Sequence, residues 1–153
     1  MGRIRSINLS EKKGTPKTPV EEAVLVENLG LEGDAHAEPG IRQVSLLSAE
    51  SIERARTHLE ERARRASVSL VPGVFAENLT TEGIDLSPLE IGSLLQVGSG
   101  VVLRVSKIGK ECHHGCVIFR QVGDCIMPRQ GIFCEVLKGG RVRKGDTIER
   151  VSG

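Results

Sequence analysis

Aromatic residues are nearly absent from this chain of 153 residues: they make up 2%, with no Trp and no Tyr. That removes the stacking platforms on which single-strand nucleic-acid binders rely. A net charge of +1 adds no electrostatic footprint for a nucleic-acid partner. No apolar run approaches the ~20 residues of a membrane span. The opening M-G-R-I-R-S-I-N-L-S has cations but no apolar core, unlike a secretory signal. The expected setting is cytoplasmic, with no membrane partner. The phosphate-binding patterns G-x-x-x-x-G-K-[ST] and G-x-G-x-x-G are missing. So are the G-x-S-x-G nucleophile elbow and the H-E-x-x-H zinc helix. These absences weigh against a P-loop NTPase, a Rossmann enzyme, an α/β-hydrolase and a zincin.

What is present is ordinary globular material, 39% hydrophobic and 27% charged, with 18 glycines. The length suits one domain, 1–153, able to bury a core. Short β-branched segments punctuated by glycine recur: 3–9, 22–27, 42–47, 68–71, 94–97, 101–106 and 131–137. The pair 94–97 and 101–106 flanks G-S-G and reads as a hairpin. Residues 11–19, charged and with two prolines, read as a loop. Ser48 is a good N-cap for one main helix over about 49–65, with Ile52, Ala55, Leu59 and Ala63 as its buried stripe. Many short strands with one helical excursion predict a mostly β fold, a β-barrel with short helical turns.

Chemistry concentrates in Lys107–Cys125, K-I-G-K-E-C-H-H-G-C-V-I-F-R-Q-V-G-D-C, which holds three of the four cysteines and two of the four histidines. A thiolate is both nucleophile and soft metal ligand, and nearby cations favour it. Lys110 and His113 flank Cys112 in that sense, while Glu111 opposes them. Cys112, His113, His114, Cys116 and Cys125 could instead hold zinc and make the protein a small zinc-stabilised binding module. Zinc sites more often use two spaced ligand pairs, and no second pair is present. Cys134, in the apolar G-I-F-C-E-V-L, reads as a core residue. Asp34 and His36 follow a glycine turn, where they could orient a ligand or simply shape the turn. Glu77 and Asn78 follow Pro72-Gly73 and could hydrogen-bond a heteroaromatic ring or hold a loop.

Six stretches in order resemble the MOSC domain, the C-terminal domain of molybdenum-cofactor sulfurases. They are G-L-E-G-D-A-H (30–36), R-Q-V-S-L-L (42–47), P-G-V-F-A-E-N-L-T-T-E-G-I-D-L (72–86), L-E-I-G-S-L-L-Q-V-G (89–98), V-S-K-I-G-K-E-C (105–112) and G-I-F-C-E-V-L-K-G-G-R-V-R-K-G-D-T-I (131–148). The resemblance implies a pyruvate-kinase-barrel-like fold and a cysteine that carries sulfur as a persulfide or ligates molybdenum. By position that cysteine is Cys112, with Cys116 its competitor and Cys125 third. Here Glu111-Cys112 replaces the family's usual Pro-Cys or Arg-Cys. Asp34, His36, Glu77 and Asn78 would line the site, with Lys110 beside it, and Arg42, Arg120 and Arg129 could meet a cofactor phosphate. The implied cofactor is the molybdenum cofactor (molybdopterin), with zinc as the alternative. The implied partners are a cysteine-desulfurase-type sulfur donor, pyridoxal phosphate residing only in that donor, and a molybdoenzyme or cofactor-biosynthesis protein. Reduction of N-hydroxylated compounds by a molybdenum-dependent activity is a further alternative. Exposed barrel edges leave room for a homodimer.

Overall fold

The computed structural model describes residues 2–10, 17–35, 37–54, 77–108 and 131–151. Its strands are β1 (Gly2–Leu9), β2 (Thr18–Val20), β3 (Glu22–Val26), β4 (Gly30–Leu31), β5 (Val44–Ser48), β6 (Leu79–Glu82), β7 (Leu94–Val97), β8 (Val101–Ile108), β9 (Ile132–Lys138), β10 (Gly140–Arg143) and β11 (Thr147–Val151). Seven of them close a barrel in the order β11-β7-β8-β9-β5-β6-β1, and β1 returns to β11 through Gly2↔Ile148 and Arg3↔Thr147. Closure removes the open edges that a flat sheet would expose. The strand β2 adds to β1, and β10-β3-β4 form a second, three-stranded sheet. Leu25, Leu31 and Val142 of that sheet pack into the same apolar cluster as Leu46, Leu79, Leu95, Leu103 and Ile148 of the barrel.

Alternation explains most strands. Val101, Leu103 and Val105 point inward from β8, and the residues between them are less buried. Two strands depart from it. All of β5, V-S-L-L-S, is buried, as expected of a strand covered on both faces. In β1 the register against β6 shifts between Ile4 and Ser6. This bulge lets both Ile4 and Ile7 face the core. Ser6 and Asn8 then share the opposite face, where their side chains are 2.7 Å apart.

The predicted hairpin is present. Val97 pairs with Val101 across Gly98-Ser99-Gly100, and Gly98 takes φ +61°, a left-handed conformation that glycine adopts without steric cost. Ser48 caps the helix: its Oγ accepts the Ser51 N–H at 3.0 Å. The helix is described over 49–54, with Ile52 buried. The rest of the predicted span, the stripe residues Ala55, Leu59 and Ala63, and the 68–71 segment lie outside the described residues. No helix among the described residues is long and apolar enough to cross a membrane.

Two expectations need correction. The loop predicted over 11–19 ends early, because Thr18–Val20 pair with Leu9–Ile7. Pro19 is tolerated there because an outermost strand needs no N–H on its open side. The strand predicted over 42–47 starts at Val44 instead. The Gln43 carboxamide leaves the ladder to accept the Val136 N–H at 2.9 Å and to donate to Gly40 O and Asn28 Oδ1.

Gly30 has φ +134°, and a Cβ there would collide with the Gln43 carbonyl oxygen. Gly30→Ala is therefore expected to destabilise by more than about 1 kcal/mol. Thr81 offers the opposite case, since its hydroxyl is fully buried without a hydrogen-bond partner. Thr81→Val should be neutral or stabilising, because it replaces an unsatisfied group by one of the same shape. Urea denaturation of both variants checks this pair. A loss in Thr81→Val as large as that in Gly30→Ala would refute the assignment of an orphan hydroxyl.

Candidate functional site: a buried polar hub

The N-terminal ends of β5 and β6 carry a cluster of buried polar side chains on the face turned away from the core. Ser45 alternates with the core residues Val44 and Leu46, and Thr80 follows the core residue Leu79. Asn78 sits immediately before β6 and joins three separate segments. Its Oδ1 accepts from the Ser45 N–H at 3.0 Å and the Ser45 Oγ at 3.1 Å. Its Nδ2 donates to Asn8 O at 3.3 Å and hydrogen-bonds the Asp34 carboxylate. Both lone pairs and both amide hydrogens are thus engaged. The backbone repeats the stitch, with Asn8 N–H to Asn78 O at 2.7 Å and Asn78 N–H to Ser45 O at 3.0 Å.

Next to it, Ser6 donates to Asn8 Oδ1, and Asn8 Nδ2 donates to Thr80 Oγ1 and Glu77 O at 3.1 Å each. Thr80 in turn donates to Glu77 Oε2 at 2.7 Å. Asp34 closes the other side. Its Oδ1 accepts from Lys17 Nζ at 2.7 Å and from the Ser10 N–H at 3.1 Å. Both side chains of the Lys17–Asp34 pair are 0% exposed. Burial by itself would raise the Asp34 pKa. The Lys17 hydrogen bond and charge, with the Asn78 amide and the Ser10 N–H, outweigh it and hold the carboxyl below its ordinary value.

The structure brings Asp34, Glu77 and Asn78 together in one hydrogen-bonded cluster. Asn78 is committed to fixing strands and a turn. Arg42 is exposed and lies outside the strand that follows it. His36, Lys110, Cys112, His113, His114, Cys116, Arg120, Cys125 and Arg129 lie outside the described residues. Among the described residues, no group of three or more Cys, His, Asp or Glu side chains could hold a metal ion. Cys134 is a core residue as read, 0% exposed, and burial followed by the charge of Glu135 pushes its thiol far up. Sequence reading missed Lys17, Asn8 and Ser45. Their signal was faint: a lysine within a proline-bearing loop, and polar residues inside otherwise apolar strands.

A cavity of about 560 Å³ lies at the other ends of β5 and β6, lined by Ser48, Arg54, Gly83, Ile84, Ile108 and Ile132 among others. None of Asp34, Glu77 or Asn78 lines it.

A family model described as the MOSC domain matches residues 32–149. No curated protein matches the chain. Several solved structures share its fold. YuaD from Bacillus subtilis superposes with a TM-score of 0.70 at 22% identity, covering 97% of this chain and 94% of that one. YiiM from Escherichia coli gives 0.70 at 23% identity, with 99% and 70% covered. A crystal structure of a hypothetical protein gives 0.75 at 23% identity, with 100% and 70% covered.

The depressed Asp34 pKa fixes the sign of an acid effect. The unfolded carboxyl protonates near its ordinary value of 3.8, the folded one only at lower pH. The stabilisation is complete above the unfolded value and is lost as pH falls through the folded one. Asp34→Asn should lower stability at pH 7 by about 3–5 kcal/mol, because it leaves the Lys17 charge buried and unpaired. The gap to wild type should narrow as pH falls below about 4. Parallel denaturation curves across pH check it; a gap that stays constant to strongly acid pH would refute the ion-pair account.

Proposed function

The chain belongs to the MOSC domain family, and from that membership we propose that it is a sulfur-handling protein of molybdenum-cofactor metabolism, with Cys112 accepting sulfur as a persulfide. The supporting observation is the hub. It gathers Asp34 of G-L-E-G-D and Glu77-Asn78 of E-N-L, two of the stretches that carry the family resemblance, onto one rigid shelf.

The step balances without an outside oxidant. The Cys112 thiolate attacks the terminal sulfur of a donor persulfide. The donor S–S bond breaks, a new S–S bond forms on Cys112, and the donor leaves as its thiolate. Lys110 and His113 favour the attacking thiolate. Molybdenum accepts thiolate ligands, so the same Cys112 would be the residue to hold the metal of the pterin cofactor, and the exposed Arg42 could meet its phosphate. When bound, that cofactor would supply a metal centre able to take up sulfur. The Asn78 amide, already fully bonded, would support such a site rather than contact the pterin.

Incubation with a cysteine desulfurase and cysteine should load about one cyanolysable sulfur per chain, as expected of a single accessible thiolate. Cys112→Ala should abolish the loading. Mass spectrometry with metal analysis reads persulfide, pterin and zinc in one sample. Unchanged loading in Cys112→Ala removes that cysteine from the mechanism, and stoichiometric zinc whose removal unfolds the protein favours the zinc-stabilised module.

A further inference from the structure

The cavity of about 560 Å³ at the far ends of β5 and β6 has a size usual for small-molecule sites, and the polar hub makes no use of it. Part of its lining is apolar, from Ile84, Ile108 and Ile132, and Ile108 is 51% exposed. The rest is polar and has hydrogen-bonding capacity left over. Ser48 Oγ accepts the Ser51 N–H and bonds Ser51 Oγ at 2.8 Å, and Arg54 Nη2 donates to Ser51 Oγ at 3.0 Å. Two hydroxyl protons meet in the one Ser48–Ser51 bond, so one of them remains for an acceptor in the cavity. Both serines are more than nine-tenths buried, where an unmet donor is costly. The bond from Ser51 also fixes the Arg54 guanidinium, which keeps further N–H donors.

Two carboxylates face the same space. Asp85 Oδ1 accepts from the Ser87 N–H at 3.0 Å and the Ser87 Oγ at 2.7 Å. Those bonds and the nearby Arg54 charge hold its carboxyl below the ordinary value, so it is ionised at neutral pH. Glu50 Oε2 accepts the Gly83 N–H at 3.0 Å. Among the described residues no ion pair joins Arg54 to either carboxylate, although all three line one cavity. These opposite charges are therefore available to a ligand. Two carboxylates against one guanidinium repel a simple anion such as phosphate. A simple cation would leave Arg54 and the spare serine proton without an acceptor. We propose that this cavity binds a small zwitterion with an apolar side chain, a free α-amino acid or a short peptide. The ligand carboxylate takes Arg54 and the serine proton, its ammonium meets Asp85 and Glu50, and its side chain lies on the isoleucines. The site needs no residue of the connection between β8 and β9, so it stands whatever the sulfur assay reports.

Equilibrium dialysis of the intact chain against L-leucine and alanyl-leucine, each beside its N-acetyl and C-amide forms, tests this. At least one free zwitterion should bind, and either blocked form should bind about tenfold more weakly or worse, as for loss of a charged hydrogen-bond partner. Arg54→Gln should weaken the free forms by about tenfold and leave the C-amides little changed. Asp85→Asn should weaken the free forms and spare the N-acetyl ones. Both side chains are exposed, so Tm should hold in each variant. Binding of leucine alone assigns the cavity to free amino acids and binding of the dipeptide alone to peptides; either supports the inference. Retention of neither zwitterion, or equal affinity for free and blocked forms, overturns it on wild-type protein alone, even if a variant does not fold. Folded variants that bind like wild type overturn it too. So does inorganic phosphate that binds more tightly than both zwitterions and is lost in Arg54→Gln, which makes the cavity an anion site.

Discussion

The side-chain amide of Asn78 is the contact on which the architecture turns. The pairing of β5 with β6 is parallel, while the other barrel pairings among the described residues are antiparallel. A parallel pair cannot be joined by a tight turn, so the chain must leave the end of β5, cross over and return to the start of β6. Asn78 is where it lands. Oδ1 fixes the landing to β5 and Nδ2 fixes it to β1, the strand on the other side of β6. The amide thus sets the register of three adjacent strands. Each of its bonds is buried, so losing it would strand partners at a cost of about 1–3 kcal/mol apiece. Thr80, Asn8 and Glu77 extend the network, and every described member restricts the next.

The Lys17–Asp34 pair continues this hub and differs in kind from the other ion pairs described. Arg104–Glu135, Arg141–Glu22 and Arg143–Glu22 lie across strand pairs at the surface, with arginine side chains 46–66% exposed. Exposed pairs of this sort contribute little and are screened by salt. The buried pair is shielded from both effects. It carries a long flexible side chain into a place where a small apolar residue would have been simpler. Such a choice trades stability for a defined orientation, and the orientation falls on the turn that the MOSC resemblance singles out.

Much of the barrel was legible because its inward residues follow the period of a strand. The hairpin over Gly98-Ser99-Gly100, the Ser48 cap and the core role of Cys134 could each be read from local pattern. Strand β6 was not recognised. Its L-T-T-E offers one clear apolar residue, and Thr80 is buried against Asn8, far away in the chain, rather than in the apolar core. The early start of β2 was hidden by Pro19, which is permitted only because the strand lies outside the ring. The bulge in β1 breaks the alternation at the point where Asn8 must turn towards Asn78. Polar hubs defeat periodicity in general: their residues are placed by partners far off in sequence, about 70 positions in the case of Asn8 and Asn78. The grouping of Asp34, Glu77 and Asn78 came instead from family resemblance, which carries such long-range pairings implicitly.

Scaffold and chemistry are accordingly divided between different parts of the chain. The hub is made of amides, hydroxyls, two carboxylates and one ammonium, a set that can hold shape and charge but cannot carry sulfur. The fourth cysteine cannot carry it either. Cys134 is enclosed in the core, and its thiol is held protonated by burial, so it offers neither a nucleophile nor a metal-binding thiolate. Any sulfur chemistry in this protein therefore belongs to Cys112, Cys116 or Cys125, all within the single connection between β8 and β9. Function carried on a connection above a stiff frame is a common arrangement, because the frame fixes position while the connection keeps access to a partner. Among these three, Cys112 is nearest in sequence to the end of β8.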